Sequence, residues 1–322
     1  MKPSLYIQGM HGMGDCLHQR AVLRQLMQTH VITLGTSWPA IYHDLMTEGL
    51  RVTRRPVALR TQTKNASRES ESAKFSPLHQ FTRAGLRIAY GGGQVLQTPS
   101  KTILEVMCNV TNTNFAEADY RLPVPDVWHR ALEELLPTLS ARASRPWLVY
   151  RPLVERPEWR GSMARNADPG AYAALFNEIR ERFFVVSVAD LEEGREWLAS
   201  GSDTKPDLSF HKGELVFEAL AALFARANLV FTSSGFAAVL GPAVGTPTIS
   251  IVGGYEDYRC HDSGAKFSPY LAIGPKAGCS CWTSACRRVC DKSIDVIDAK
   301  DKLRNFVTQN CIQTSDSPCP LS

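Results

Sequence analysis

The segment 228–254, NLVFTSSGFAAVLGPAVGTPTISIVGG, constrains the fold of this chain more than any other. A short apolar run over 229–231 stops at the polar turn TSSG (232–235), and a helix-like segment over 236–244 follows directly. Gly-Thr-Pro then ends the helix, and the β-branched run 248–252 supplies another strand. The order strand, tight turn, helix, strand predicts a parallel βαβ unit.

The turn of this unit is the first candidate binding site. Ser233, Ser234 and Gly235 are small, and Phe236 begins the helix. Such a turn leaves the first backbone N–H groups of the helix pointing at open space, where a phosphate can approach closely. We therefore expect a phosphorylated ligand here.

Strands and helices alternate along the whole chain of 322 residues, a length that suits two α/β domains enclosing a cleft. A break in the pattern near 140–146 predicts a boundary, with one domain over 1–144, a second over 145–312 and a flexible tail over 313–322. The predicted strands cover 5–7, 31–34, 86–90, 147–150, 183–188, 229–231 and 248–252.

Composition excludes several classes of protein. With 44% hydrophobic and 21% charged residues the chain is of the globular type, and no apolar run approaches the ~20 residues that span a bilayer. The N-terminus, MKPSLYIQG, lacks the apolar core and cleavage site of a signal peptide. Nine cysteines, an odd number, argue against a secreted disulfide framework. We expect a cytoplasmic protein.

A second glycine-rich turn lies near the start of the chain. Gly9, Gly12 and Gly14 follow the first strand, and Asp15 stands where a helix begins. Glycines let the backbone approach a ligand, and a carboxylate at this position could take a proton from an attacking hydroxyl. Aspartate is also a favoured helix cap, so capping stays the alternative.

Together the two turns resemble the heptosyltransferase-like glycosyltransferases of family 9, which have the two-Rossmann GT-B fold. The matching stretches are GMGDCLHQRAVLRQL and ELVFEALAALFARANLVFTSSGFAAVLGPAVGTPTISIVGG. The resemblance implies an α/β fold with two Rossmann-like domains facing a cleft. It also implies transfer of a sugar from a nucleotide diphosphate sugar to the hydroxyl of a glycan or other acceptor, with no cofactor required.

The resemblance assigns roles to residues of this sequence. Asp15 becomes the general base. The donor side comprises Gly14, Ser233, Ser234, Gly235 and Phe236, and the acceptor side comprises Gly12, Met13 and His18. For His18, packing or solvent exposure stays the alternative.

Two residues depart from the family pattern. Ser233 stands where the family usually has aspartate, and Ala238 stands where heptosyltransferases carry histidine. We therefore expect backbone N–H groups, rather than these side chains, to hold the phosphate, which leaves the sugar open.

An arginine-rich segment, YRPLVERPEWRGSMARNADPG, follows the strand at 147–150. In the family this region supplies a cation to the departing diphosphate, and a guanidinium suits phosphate oxygens. Arg151, Arg160 and Arg165 are the candidates, with a solvated loop as the alternative.

Four cysteines cluster in CSCWTSACRRVC. Cys279, Cys281, Cys286 and Cys290 could reach one tetrahedral ion, which makes a structural zinc site one hypothesis beside free thiols or a disulfide. A catalytic zinc is not expected, because four thiolates close the coordination sphere.

A basic run lies in a polar part of the first domain. Its residues are Arg51, Arg54, Arg55, Arg60, Lys64, Arg68 and Lys74. Such a run could hold nucleic acid or a phosphorylated glycan, although a solvated loop fits the sparse aromatic residues better.

The expected function is that of a glycosyltransferase, and three alternatives stay open. They are a sugar-nucleotide epimerase of the same architecture, a GT-B-fold binding protein that has lost activity, and a nucleic-acid-directed glycosyltransferase acting on a modified base.

Overall fold

A computed structural model describes residues 1–55, 85–136, 145–155, 166–201, 204–278, 280, 282 and 291–311. Several sequence predictions lie outside these residues. They concern the basic run beyond Arg55, most of the domain boundary, Arg160, Arg165, the four clustered cysteines and the tail.

Four parallel strands form a sheet in the first part of the chain, in the order β3-β2-β1-β4. The strands are β1 (Ser4–Gln8), β2 (Val31–Thr36), β3 (Arg51–Arg54) and β4 (Leu86–Arg87). The helices of this part are α1 (Met13–Thr29), α2 (His43–Thr47), α3 (Gly92–Gln97), α4 (Ile103–Thr111) and α5 (Asp126–Leu135), with short 3-10 turns at Pro39–Tyr42 and Phe115–Glu117. The order of the strands reverses between β1 and β4.

Six parallel strands form a second sheet, in the order β12-β11-β10-β5-β7-β9. They are β5 (Trp147–Tyr150), β7 (Phe184–Val188), β9 (Leu208–Phe210), β10 (Leu229–Ser233), β11 (Thr248–Ile251) and β12 (Tyr270–Ile273), while β6 (Val154–Glu155) pairs antiparallel with β8 (Trp197–Leu198). The helices are α6 (Pro169–Asn177), α7 (Phe217–Arg226), α8 (Phe236–Ala243) and α9 (Val296–Asn310), with 3-10 turns at Arg180–Arg182 and Asp262–Lys266. This is the strand order of the Rossmann fold, which reverses between β5 and β10.

Apolar side chains cover both faces of the larger sheet. Every residue of β5, β7, β10 and β11 is buried, as a parallel sheet with helices on both faces requires. One hydrophobic cluster runs continuously through both parts of the chain and includes Leu17 of α1 and Leu240 of α8. The other cluster packs Phe176 of α6 and Leu303 of α9 against the sheet.

No helix within the described ranges is long and apolar enough to cross a membrane.

Helices α1 and α8 pack against each other close to where both begin. A Cβ atom on Gly14 would lie 3.3 Å from the Cα of Phe236 and 3.6 Å from Cγ2 of Val239. The approach is tight because Gly14 has no side chain. The first turn of α1 therefore rests on the first turn of α8.

A buried arginine fixes the middle of α1. Arg20 is fully buried and donates a two-pronged hydrogen bond to the Asp44 carboxylate at 2.8 and 2.7 Å. It also donates to the carbonyl oxygens of Ile41, Tyr120 and Arg121. Because the buried charge is paired and its N–H groups have acceptors, α1 is held against α2 and the segment before α5.

The seven predicted strands are all present; six differ little at their ends, while the strand predicted over 86–90 is limited to β4, Leu86–Arg87. Strand β10 extends through Ser233, so the tight turn is shorter than predicted and consists of Ser234 and Gly235. The sequence does not predict β3, β9 or β12. Strand β3, with sequence RVTR, is too short and polar to show an alternating pattern.

Part of the basic run forms a strand and not an exposed loop. Arg51 and Arg54 belong to β3, and Arg54 is only 7% exposed. Arg54 therefore cannot contribute a surface charge to a nucleic-acid contact.

We predict that Gly14→Leu separates α1 from α8 and lowers the free energy of unfolding by about 1–3 kcal/mol, the usual cost of overpacking. Chemical denaturation measures this loss.

Gly93→Leu is the matched control, because a Cβ at Gly93 in α3 meets no described atom within 4 Å. Equal stability of the two variants would contradict the close contact.

Candidate active site

The candidate residues lie where the strand order of each sheet reverses. Ligands of open parallel sheets bind outside the carboxyl ends of the strands at such points. In the first sheet, Asp15 follows β1 and Tyr90 follows β4; in the second, Arg151 follows β5 and Ser234 follows β10. The topology thus places these four residues at the two points where strand order reverses.

Asp15 is held in the first turn of α1. The hydroxyl of Tyr90 donates a hydrogen bond to Asp15 Oδ1 at 2.9 Å. Oδ2 lies over Gly12, where a Cβ atom would approach it to 2.5 Å. The N-cap of α1 is Gly12 and not Asp15, so the carboxylate is not an N-cap side chain. It lies at a helix N-terminus, where the helix dipole favours a negative charge.

Gly235 shapes the turn before α8. Its φ of 134° and ψ of −156° lie in a region that glycine alone adopts readily. A Cβ atom there would meet no described atom within 4 Å, so the turn borders open space. Glycine is necessary here because of its φ and ψ angles, and not because a side chain would lack space.

The start of α8 is suited to an anion. Its N-cap, Gly235, has no side chain to cap the first amide groups, and its first turn contains no acidic residue. In contrast, the first turn of α1 contains Asp15. The partial positive charge of the α8 N-terminus thus lacks a balancing acidic residue in its own first turn.

The contact between Gly14 and Phe236 joins these two helix starts. Asp15 directly follows Gly14, and Gly235 directly precedes Phe236. The carboxylate-bearing residue and the turn before α8 therefore lie close together, although about 220 residues separate them in the sequence.

Arg151 directly follows β5, the strand that pairs with β10. Its backbone N–H donates to the carbonyl of Phe231 in β10 at 2.9 Å, and its guanidinium donates to the carbonyl of Val188 at 3.2 Å. The hydroxyl of Tyr172 donates to its carbonyl oxygen at 2.6 Å. These bonds hold Arg151 at the same sheet edge as Ser234.

A group of polar residues that the sequence does not predict adjoins the turn. The Ser234 hydroxyl donates to the carboxylate of Glu256 and lies 3.4 Å from Nε2 of His261. Glu256, Cys260 and His261 each offer an atom that could bind a metal, and these atoms lie within 4.8 Å of one another. All three residues are buried.

His18 is part of the interior. It is 1% exposed, its ring stacks on that of His261 with centroids 5.9 Å apart, and Tyr120 lies edge-on at 5.1 Å. Burial and then the nearby His261 lower the pKa of His18 well below its usual value, which keeps the ring neutral at neutral pH. These contacts favour packing over contact with an acceptor.

The other two predicted residues lie at the helix starts. Met13 is the first residue of α1 and packs against the continuous hydrophobic cluster. Phe236 is the first residue of α8 and belongs to the same cluster.

Sequence reasoning missed Tyr90, Glu256 and His261 as site residues. Tyr90 ends a predicted strand, and Glu256 and His261 follow the strand that contains Ile251, so position after a strand was the available signal. Cys260 lies with the last two.

The structure resembles solved glycosyltransferases over almost its whole length. A glycosyl transferase of family 9 from Veillonella parvula matches with a TM-score of 0.61 and 13% identity, covering 96% of this chain and 99% of that one. ADP-heptose lps heptosyltransferase II from E. coli matches with a TM-score of 0.56 and 12% identity, covering 96% and 99%. The iron-containing dodecameric glycosyltransferase TibC from E. coli has a TM-score of 0.55 and 11% identity, covering 96% and 76%.

No protein-family model matches the chain, and no curated protein matches it either. The structural matches confirm the α/β fold class of the GT-B type that the sequence predicts.

We predict that Gly235→Ala lowers the free energy of unfolding by about 1–3 kcal/mol, because alanine is strained at this φ and ψ. Denaturant titration measures the change.

Gly93→Ala serves as control, because Gly93 lies inside α3 with no described atom within 4 Å of its Cβ position. Alanine there should raise stability by about 0.5–1 kcal/mol. A stabilised Gly235→Ala protein would show that the turn has another conformation.

Proposed function

We propose that this protein is a glycosyltransferase that moves a sugar from a nucleoside diphosphate sugar to an acceptor hydroxyl. The single observation that carries the proposal is the contact of Gly14 with Phe236, which brings a carboxylate close to a helix start that has no side-chain cap. The fold shared with family 9 glycosyltransferases supports it.

Asp15 is the proposed general base. It accepts the proton of the acceptor hydroxyl as the oxygen attacks the anomeric carbon of the donor. Tyr90, through its hydrogen bond to Oδ1, positions the carboxylate.

The diphosphate leaves as the bond between the anomeric carbon and its oxygen breaks. The backbone N–H groups at the start of α8 and the guanidinium of Arg151 would stabilise the charge that grows on this leaving group. Arg160 and Arg165 are proposed as further cations on the same segment. The proposed chemistry uses no metal.

The sugar is not specified by this arrangement. Two structural neighbours are described as acting on, or bound to, an ADP-heptose. Ser233 and Ala238 replace the acid and imidazole of heptosyltransferases, and Ala238 is fully buried, so recognition through these two side chains is lost. We propose a nucleotide sugar donor without naming the sugar.

The same two replacements favour one second candidate, a binding protein that retains the donor site without transfer. Release of nucleoside diphosphate from nucleotide sugars, measured across a panel of hydroxyl acceptors, separates the candidates. Transfer supports the enzyme; donor binding with no release for any acceptor supports the binding protein.

We predict that Asp15→Asn lowers the transfer rate by roughly 10²- to 10⁴-fold, since it removes the base. Donor affinity, measured by calorimetry, should change little because the change is isosteric.

The matched control is Asp126→Asn, the same change in the first turn of α5 at an exposed position. Transfer by Asp15→Asn at the rate of this control would exclude Asp15 as the base.

We predict that Arg151→Gln weakens binding of nucleoside diphosphate by roughly 10- to 100-fold, the effect of losing one or two hydrogen bonds to a charged group. Titration calorimetry with the diphosphate measures it.

Arg145→Gln is the control, because Arg145 precedes the same strand at its amino end and pairs with Asp207 at 2.7 Å. If both variants bind equally, Arg151 does not contact the diphosphate.

A further inference from the structure

We propose that Glu256, Cys260 and His261 form a binding site for one divalent metal ion of the zinc type. This site is separate from the cysteine cluster at 279–290 and does not depend on the proposed transfer reaction.

The geometry brings three different donor atoms together. A carboxylate oxygen of Glu256, Sγ of Cys260 and a ring nitrogen of His261 all lie within 4.8 Å of one another. Zn²⁺ binds such atoms at about 2.0–2.3 Å, so two ligands of one tetrahedral ion stand about 3.3–3.8 Å apart. The three atoms can reach one ion after small side-chain adjustments.

The ligand set is that of a borderline-soft cation. Mixed nitrogen, sulfur and oxygen ligands suit Zn²⁺, whereas Mg²⁺ and Ca²⁺ require oxygen ligands almost exclusively. One carboxylate and one thiolate supply two negative charges, which a divalent ion neutralises. Charge balance matters here because the three residues are at most 6% exposed.

The backbone around the three residues is well anchored. The Cys260 N–H donates to the carbonyl of Asp257 at 3.0 Å, and the Cys260 carbonyl accepts from the N–H of Ile103 at 3.1 Å. The 3-10 turn Asp262–Lys266 begins directly after His261. A metal would therefore find its ligands on a loop whose conformation is already fixed.

Neighbouring side chains would orient the ligands. Ser234 donates a hydrogen bond to the Glu256 carboxylate, and the ring of His18 stacks on that of His261. Both ring nitrogens of His18 lack a hydrogen-bond partner in the described structure, so a neutral imidazole lies buried beside the three ligands. Partners of this kind set the orientation of metal ligands.

Three protein ligands leave a fourth position of a tetrahedral ion for water or another small ligand. The metal would fix the loop after β11, and the hydrogen bond from Ser234 to Glu256 would link this loop to the turn that follows β10. It would hold the turn in place and need not take part in the transfer.

The test begins with a full-length chain in which Cys279, Cys281, Cys286 and Cys290 are all replaced by serine. Zinc bound to these four cysteines then cannot add to the measured zinc content. After incubation with excess zinc and gel filtration, elemental analysis should find one zinc per chain. X-ray absorption should show one sulfur ligand among nitrogen and oxygen ligands. A chain that remains folded and contains no zinc would overturn the proposal.

Cys260→Ala and His261→Gln in the same background should each lose the bound zinc. The matched control is Cys108→Ala, since Cys108 is equally buried on α4 and should leave the zinc content at one. Retention of zinc by both site variants would assign the metal elsewhere.

If the fourfold serine chain does not fold, the single variants are compared in the otherwise natural chain. There Cys260→Ala should contain one zinc fewer per chain than Cys108→Ala, and equal contents would overturn the proposal. Zinc content is measured without substrate. A chain that binds no zinc would therefore overturn the metal site without bearing on the proposed sugar transfer, and an absence of sugar transfer would not bear on the metal site.

Discussion

The packing of α1 on α8 at Gly14 is the contact on which the site depends. Helix α1 follows β1 of the first sheet, and helix α8 follows β10 of the second. Each of these strands lies beside the point where the strand order of its sheet reverses. With no side chain at Gly14, the helices approach until the backbone of Phe236 is in contact. Any larger residue would move the two helix starts apart.

The two helix starts share a glycine N-cap and differ in charge. Both begin with a glycine N-cap, Gly12 and Gly235. The first turn of α1 contains Asp15, while that of α8 contains no acid. One helix start therefore presents a carboxylate and the other a partial positive charge, which suits a proton acceptor on one side and a leaving diphosphate on the other.

Local sequence patterns were sufficient to predict the continuously apolar strands of the two sheets. They were also sufficient to predict both glycine turns. They were insufficient for β3, whose four residues include two arginines and form a strand through pairing with β2. Likewise, the sequence does not reveal that Tyr90 donates a hydrogen bond to Asp15, because the two residues are 75 positions apart. Contacts across such separations depend on the order of strands in the sheet.

The sequence by itself determined the α/β class, the two glycine turns and the residue types they contain, since these follow from short-range periodicity and backbone preference. Only the tertiary structure decided which distant residues meet. It buried His18 between two rings, placed Cys260 beside Glu256 and His261, and set Asp15 next to the start of α8. The physical reason is that strand order and helix packing, which join residues far apart in the chain, leave no periodic signal in the sequence.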